Sequence, residues 1–152
     1  MSGLSLSDFD LVTLAEAGVE MPLDDHRVRP SIDADGEESW PPLTDAEGNV
    51  LSVRVLGEDA PAVQKTLASM RARAMTIALQ ANTRKGVRMS IDDVQLEDAD
   101  AIKLASAATI GWSHSTDAFT PDNVRTLYTK DRFHREQVIR FMKKRSNFFP
   151  SR

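Results

Sequence analysis

The chain contains no cysteine among its 152 residues. This absence excludes a disulfide framework, a thiolate zinc site and a cysteine nucleophile, and it is common in proteins of reducing compartments. The sequence also lacks a run of about 18 apolar residues, which a membrane-spanning helix requires, and its first ten residues lack the basic start of an export signal. We therefore expect a soluble protein of the cytoplasm.

The motifs that hold cofactors and metals are missing as well. There is no glycine-rich loop with a P-loop lysine and no dinucleotide fingerprint, and the histidines His26, His114 and His134 lie in three separate segments. Residues 31–36 resemble the start of an EF-hand calcium loop, but Pro42 occupies the position of its closing glutamate. We expect no cofactor and no metal site.

One short motif raises the question of catalysis. Gly111-Trp112-Ser113-His114-Ser115 matches the nucleophile elbow G-x-S-x-G in its first and third positions. However, Ser115 replaces the second glycine, and an alanine-rich helix is predicted where the elbow needs a strand. A histidine adjacent to the serine in sequence is also not the usual geometry for its base. We predict that the protein is not an enzyme, that Gly111 ends the helix and that Trp112 packs at that end.

Acidic and basic residues are distributed unevenly along the chain. Residues 1–60 carry 14 acidic and 3 basic side chains, whereas residues 61–152 carry 9 acidic and 16 basic ones, although the net charge is only −4. The two halves can attract one another, or the basic half can face an acidic partner such as nucleic acid.

The first part of the chain predicts little regular structure. Residues 4–17 fit a short helix, with Ser7 as N-cap and Gly18 as its stop. From Val19 to Pro42 the sequence is rich in acidic residues and proline, which favours an exposed loop. We therefore divide a single domain into residues 1–41, an N-terminal helix with an acidic, partly flexible arm, and residues 42–149, a β-hairpin followed by helices.

The hairpin is predicted where the body of the domain begins. Residues 42–44 and 50–56 fit two strands joined by a glycine-containing loop. In the second strand Leu51, Val53 and Val55 alternate with polar residues, so one face is apolar. Because a two-stranded hairpin is marginally stable in water, we expect other elements to cover that face.

The clearest predicted helix follows the hairpin. Asp59 is a suitable N-cap and Pro61 a suitable first residue. Its apolar positions recur at helical spacing and form a seam: Val63, Leu67, Met70, Ala74, Ile77 and Ala81. Such a seam suits packing against another helix, either of the same chain or of a partner.

Three more helices are predicted towards the C-terminus. The first begins at Asp98 or Asp100 and presents an arc of small side chains. Thr120 and Pro121 begin the second, which extends to about residue 128, and Asp131 caps the third, which extends to about residue 145. The sequence thus predicts a mainly helical α+β domain of four to five helices with a small N-terminal β-hairpin.

The last predicted helix has two different faces. Val138, Ile139, Phe141 and Met142 form an apolar arc, and the opposite face carries Arg132, Glu136, Arg140, Lys143 and Lys144. A basic face that ends in Phe148 and Phe149 suits a phosphate backbone with stacked bases. The alternative is that these phenylalanines fold onto the core or insert into a protein partner.

Several segments occur together in an order that resembles a known family. They are Val50 to Leu56 running into Gly57-Glu58-Asp59, the arginine-rich stretch Lys65 to Arg73, Gly111-Trp112, Phe119-Thr120-Pro121-Asp122-Asn123, Glu136-Gln137-Val138 and Asn147-Phe148. In this combination, residues 42–149 resemble the small tail assembly chaperones of long-tailed bacteriophages and prophages. Ala60 departs from the family pattern, which has a serine at that position.

The resemblance implies a non-enzymatic protein of the host bacterial cytoplasm. Members of that family bind the tape measure protein and the tail tube subunits during tail morphogenesis, and self-association is left open. The candidate partner-binding residues are Val63, Leu67, Met70, Ala74, Ile77, Arg132, Arg140, Phe141, Lys143, Lys144, Phe148 and Phe149. Two alternatives stand beside this reading: a structural subunit that stays in the virion, and a nucleic-acid-binding module that uses the basic C-terminal helix.

Overall fold

The computed structural model of the chain describes residues 10–78, 91 and 97–149. In chain order its elements are α1 (Leu11–Ala17), β1 (Val19–Pro22), β2 (Ser31–Ile32), β3 (Glu38–Ser39), β4 (Ser52–Val55), α2 (Pro61–Ala78), α3 (Asp98–Ala108), β5 (Thr109–Ser113), α4 (Pro121–Lys130), α5 (Arg132–Lys143) and a 3-10 turn (Arg145–Phe148). Five helices and a small antiparallel sheet in the described part of the chain confirm the predicted α+β class.

The main sheet has three antiparallel strands in the order β1-β4-β5. On the central strand, Val53 lies opposite Met21 of β1 and opposite Trp112 of β5. Val53 and Val55 are buried, as their alternation with polar residues predicted. β2 and β3 form a separate two-stranded hairpin.

One buried face of each long helix contributes to a single core. The packing is tightest around α3, which contacts α2, α4 and α5. Its Ala105 and Ala108 are completely buried, and their small side chains let the neighbouring helices approach closely. The fully buried larger side chains are Tyr128, Leu67, Leu104, Met142, Val53, Val55, Val63 and Val138. No helix in the described part of the chain has the length and apolar character needed to cross a membrane.

Local signals predicted several helix ends correctly. The hydroxyl of Thr120 accepts a hydrogen bond of 3.1 Å from the Asn123 backbone, and α4 begins at the proline that follows Thr120. The Asp131 carboxylate likewise accepts the backbone N–H of His134 at 3.1 Å and caps α5. Gly18, whose φ of +74° favours glycine, ends α1 as expected.

Two other predicted caps are corrected. α1 begins at Leu11 and is capped by Asp10, whose carboxylate accepts the Val12 backbone N–H at 2.9 Å, while Ser7 lies outside the described residues. At α2, the carbonyl of Ala60 accepts the first helical hydrogen bond from Gln64, so Ala60 rather than the preceding aspartate occupies the N-cap position.

The interpretation of residues 19–42 as an exposed loop is wrong at its start. β1 pairs with β4 along its whole length, beginning with Val19 opposite Val55. Met21 and Leu23 are buried in the core. Pro22 is compatible with this strand because β1 lies at the edge of the sheet, where one side of the backbone needs no partner.

The predicted N-terminal hairpin is present at its turn, but most of its second strand pairs elsewhere. A turn does close at residues 45–49, where the Asp45 carboxylate accepts the backbone N–H of Asn49 at 2.9 Å. The chain on either side of it pairs over a short stretch, where Thr44 and Val50 form an antiparallel bridge and the Leu51 N–H donates to the Leu43 carbonyl at 2.8 Å. β4 takes its partners from β1 and β5 instead, because these longer extended segments bury its valines from both sides.

The prediction that Gly111 ends a helix is also wrong. α3 ends at Ala108, and Gly111 and Trp112 lie within β5. Thr109 makes the change of direction: its backbone is extended, and its hydroxyl donates to the Ala105 carbonyl at 2.8 Å. The next residues therefore leave the helix axis and pair with β4.

Candidate functional site

An open cleft of about 490 Å³ lies between the main sheet and α4. Its apolar lining is formed by Leu23, Leu43, Leu51, Val53, Trp112 and Leu127. Its polar lining is formed by Ser52, Ser113, Ser115, Asp117, Asn123, Thr126, Lys130, Asp131 and His134. The volume is in the range of sites that bind small ligands or a few side chains of a partner.

Three leucines on the sheet side of the cleft are held together by backbone hydrogen bonds. The N–H of Leu23 donates to the carbonyl of Leu51 at 3.0 Å, and the N–H of Leu51 donates to the carbonyl of Leu43 at 2.8 Å. The N–H of Leu43 donates to the carbonyl of Leu23 at 2.7 Å and closes the cycle. Three distant segments thereby converge at one place, with Leu43 and Leu51 only half-buried.

The opposite wall depends on the connection between β5 and α4. The indole N–H of Trp112 donates to the Asp117 carbonyl at 3.1 Å, and its ring contacts Phe119 edge-on at 5.2 Å. The side-chain amide of Asn123 donates to the Ala118 carbonyl at 2.8 Å. These contacts fix the start of α4 and thereby place its residues along the cleft.

His134 forms the inner end of the cleft wall. The side chain is buried, its Nδ1 lies 2.9 Å from a carboxylate oxygen of Asp131, and its Nε2 lies 2.9 Å from the Asp24 carbonyl. Gln137, one turn later, accepts from the Asp24 N–H at 3.0 Å and donates to the Pro22 carbonyl at 2.9 Å. α5 therefore holds the segment that follows β1 in place.

The serine and histidine of the elbow-like motif do not meet each other in the cleft. The Ser113 hydroxyl is hydrogen-bonded to the hydroxyl of Ser52 at 2.6 Å. His114 is exposed and has a φ of +62°. The imidazole that does line the cleft is that of His134, which is engaged with a backbone carbonyl rather than a hydroxyl.

An aromatic cluster that was not predicted lies beside the cleft. The His26 ring stacks on Phe133 at 4.9 Å and contacts Trp40 at 4.7 Å, and it lies 5.6 Å from the ring of His134. Phe133 remains 57% exposed. Its members come from two regions about a hundred residues apart, so no local spacing could reveal the cluster.

Three of the predicted partner-binding residues of α2 lie inside the molecule. Val63, Leu67 and Met70 are buried in the core, so they could reach a partner only if the fold opened. The side chains of Ala74 and Ile77 lie outside the described part of the structure. The seam is therefore part of the core at each position where its side chains are described.

The predicted residues of the C-terminal region are divided between core and surface. Phe148 is buried and packs edge-on against the half-buried Phe141 at 5.5 Å, whereas Phe149 is 49% exposed. The exposed face of α5 carries Arg132, Arg140, Lys143 and Lys144. Arg132 is bound to Glu136 at 2.9 Å, which raises the pKa of Arg132.

Residues 31–36, which resemble the start of an EF-hand loop, form a structural turn. The Asp33 carboxylate accepts the backbone N–H groups of Asp35 and Glu37, both at 2.9 Å, and so closes the turn between β2 and β3. Over the described ranges, no group of three or more histidine, aspartate and glutamate side chains is placed to bind a metal ion.

Comparison of the chain with protein-family models, with curated proteins and with solved structures gave no match. The cleft is consequently described by its own geometry. Sequence reasoning singled out Trp112, Ser113 and Asn123, but it did not bring them together with the leucines, because the cleft unites five segments between residues 23 and 134.

Proposed function

We propose that the protein is a tail assembly chaperone of a long-tailed bacteriophage or prophage. In this role it binds the tape measure protein and the tail tube subunits in the cytoplasm of the host bacterium and acts without catalysis. The observation that carries the proposal is the cleft between the main sheet and α4, which is lined by both apolar and polar side chains.

The chemistry of the cleft suits one stripe of an amphipathic helix. A tape measure protein is a long helical chain whose apolar stripes aggregate unless another protein covers them. Leu43, Leu51 and Leu127 offer half-buried apolar surface to such a stripe. The hydroxyl and amide groups around them can hydrogen-bond to polar residues at its borders, which allows binding to be reversible.

The segments that carry the family resemblance also support this assignment. Trp112 and Asn123, which belong to two of those segments, line the cleft, and Thr120 caps the helix that forms one wall. A third segment, Gly57-Glu58-Asp59, joins β4 to α2 and is buried. Three of the segments behind the resemblance thus contribute to the cleft or to the β4–α2 junction.

Two threonines on α4 allow a matched test. Thr126 and Thr129 are both exposed and both donate to the carbonyl four residues earlier, at 2.9 Å and 2.7 Å, but only Thr126 lines the cleft. We expect Thr126→Trp to fill the cleft and Thr129→Trp to leave it open. The measurement is the soluble fraction of the phage's own tape measure protein on co-expression with each variant.

Wild-type protein and Thr129→Trp should keep the tape measure protein soluble, whereas Thr126→Trp should let it precipitate. Equal solubility with both variants, or precipitation with the wild type, would refute the proposed role. Purified phage particles distinguish the chaperone from a structural subunit, since a chaperone is absent from the finished tail and a subunit is retained.

A further inference from the structure

The outer face of α5 is an uncovered surface with a defined pattern. Phe133 and Arg140 are separated by seven residues, so they lie along one stripe of the helix about 10 Å long, and Lys144 follows directly after the last helical residue. All three are exposed, and Phe149 just beyond the helix is exposed as well. Among the described residues, neither Arg140 nor Lys144 takes part in an ion pair.

A second surface of the same chain has the opposite charge. Every residue of the β2–β3 hairpin from Ser31 to Ser39 is exposed, and this stretch contains four acidic residues and no basic one. Within the described ranges, Asp35 and Glu37 form no ion pair. Ile32, at 67%, is the most exposed large apolar side chain among those described.

The two strands of the hairpin pair over a short length. β2 and β3 pair at only two residue positions, and a two-stranded hairpin of this size is marginal in water without a surface that covers it. Both the hairpin and the outer face of α5 are exposed, so they do not cover each other within one molecule.

We propose that the β2–β3 hairpin of one molecule docks on the outer face of α5 of a second copy of this chain. Asp35 and Glu37 then face Arg140 and Lys144, and Ile32 gains apolar contact with the exposed phenyl rings of the helix face. Charge complementarity selects this occupant, because the chain itself carries both halves of the pair. The proposal is independent of the proposed chaperone function.

A nucleic acid is the less suitable occupant of this face. The stacking of His26 on Phe133 and the contact of His26 with Trp40 place the base of the acidic hairpin at the start of α5. A phosphate backbone along the helix would therefore approach the hairpin's carboxylates, whose repulsion opposes binding. The short hairpin of a second copy can instead meet Arg140 and Lys144 at the other end of the helix, about two turns beyond Phe133.

The test is a pair of charge reversals on exposed residues, which should leave the fold intact. One variant carries Asp35→Lys with Glu37→Lys, and the other carries Arg140→Glu with Lys144→Glu. The matched control reverses two exposed cations elsewhere, Lys103→Glu with Arg125→Glu. Sedimentation equilibrium over a range of concentrations and salt measures association, and thermal unfolding of each variant checks the fold.

The wild type and the control should associate at low salt and dissociate as salt is added to about 0.5 M, where screening shortens the reach of the charges. Each reversed variant alone should associate at least about tenfold more weakly, and a mixture of the two reversed variants should recover association because their charges are complementary again. Recovery in the mixture is a result that damage to the fold cannot produce.

Three results would overturn the proposal. They are a wild type that stays monomeric at about millimolar concentration in low salt, a control that weakens association as much as the two test variants, and a mixture that fails to recover it. Binding of duplex DNA to the α5 face by a protein that does not self-associate would assign the surface to nucleic acid.

Discussion

Arg145 forms a two-pronged hydrogen bond with Asp59, in which Nε donates to one carboxylate oxygen at 2.7 Å and Nη2 donates to the other at 3.2 Å. Nη2 also lies 3.2 Å from a carboxylate oxygen of Glu58. The hydrogen bonds that Arg145 donates to Asp59 raise the pKa of Arg145. Both carboxylates are almost fully buried, so one guanidinium from the C-terminal turn stabilises two buried acidic side chains at the start of α2.

Replacing Arg145 by methionine should therefore be strongly destabilising. Glu58 and Asp59 would lose the guanidinium that lies beside both carboxylates, and loss of one partner of a buried ion pair costs about 3–5 kcal/mol. The Arg145 side chain is 45% exposed, so water can replace it in part. We therefore expect a loss at the lower end of that range, about 3 kcal/mol in the free energy of unfolding measured with urea. Arg140→Met is the control, and an equal effect of both substitutions would contradict this account of the junction.

The chain contains a single tyrosine, so its ionisation can be followed directly by absorbance. Burial of Tyr128 raises its pKa to about 12, although its hydrogen bond with the Thr109 hydroxyl, at 2.6 Å, acts in the opposite direction. We expect tyrosinate to appear in the native protein only near that pH. Tyrosinate that forms near pH 10 in the folded protein would show that the side chain is accessible to water.

The same pKa shift predicts how stability depends on alkaline pH. Between about pH 10 and pH 12 the unfolded chain loses the Tyr128 proton while the folded chain keeps it, so the free energy of unfolding falls as the pH rises. A shift of this size corresponds to roughly 2–3 kcal/mol over that interval. The measurement is the free energy of unfolding at pH 10 and at pH 12. Tyr128→Phe should lose less stability between these two pH values than the wild type does. An equal loss in both proteins would contradict the assignment to Tyr128.

Sequence patterns predicted those features that depend on neighbouring residues. Thr120 and Asp131 cap their helices because a side-chain oxygen satisfies a backbone N–H within three residues, and such spacing is visible in the sequence. The burial of Val53 and Val55 follows from a strand's alternation in the same way. The α+β class and most of the helices were predictable for this reason.

The features that depend on distant pairing were not predictable. β1 is recognisable only from its partner β4, more than thirty residues later, and its own sequence contains an acidic residue and a proline. The predicted hairpin brings Leu43 and Leu51 together, but the backbone hydrogen bonds that add Leu23 to them, from about twenty residues earlier, leave no signature in the sequence. β5 was missed because Thr109 turns the chain directly from a helix into a strand, with no loop between them.

The burial of Leu67 decides between two roles of the α2 seam. Its side chain is fully buried, so Leu67→Asp would place a charge in the core and should unfold the domain rather than yield a soluble protein that fails to bind its partner. Leu67→Ala is expected to cost about 2–5 kcal/mol by creating a cavity. Circular dichroism and urea unfolding measure both, with Lys65→Asp on the exposed side as the control. If Leu67→Asp folds normally, the seam is not part of the core and is again a candidate partner-binding surface.

The contact between α1 and the β4–α2 junction depends on the absence of a side chain at Gly57. A Cβ there would lie 2.8 Å from the Ala15 Cβ and 3.2 Å from an aromatic carbon of Phe148, and the Gly57 N–H already donates to the Ala15 carbonyl at 3.0 Å. Gly57→Ala should therefore destabilise by about 1–3 kcal/mol, because both neighbours belong to packed elements and have little room to move. Gly111→Ala is a matched control, since its Cβ would meet only ordinary contact at 3.8 Å.

If α1 packs this closely, Ala15→Gly should recover part of the stability lost in Gly57→Ala but none of that lost in Gly111→Ala. Additive effects in both pairs would place α1 farther from the junction.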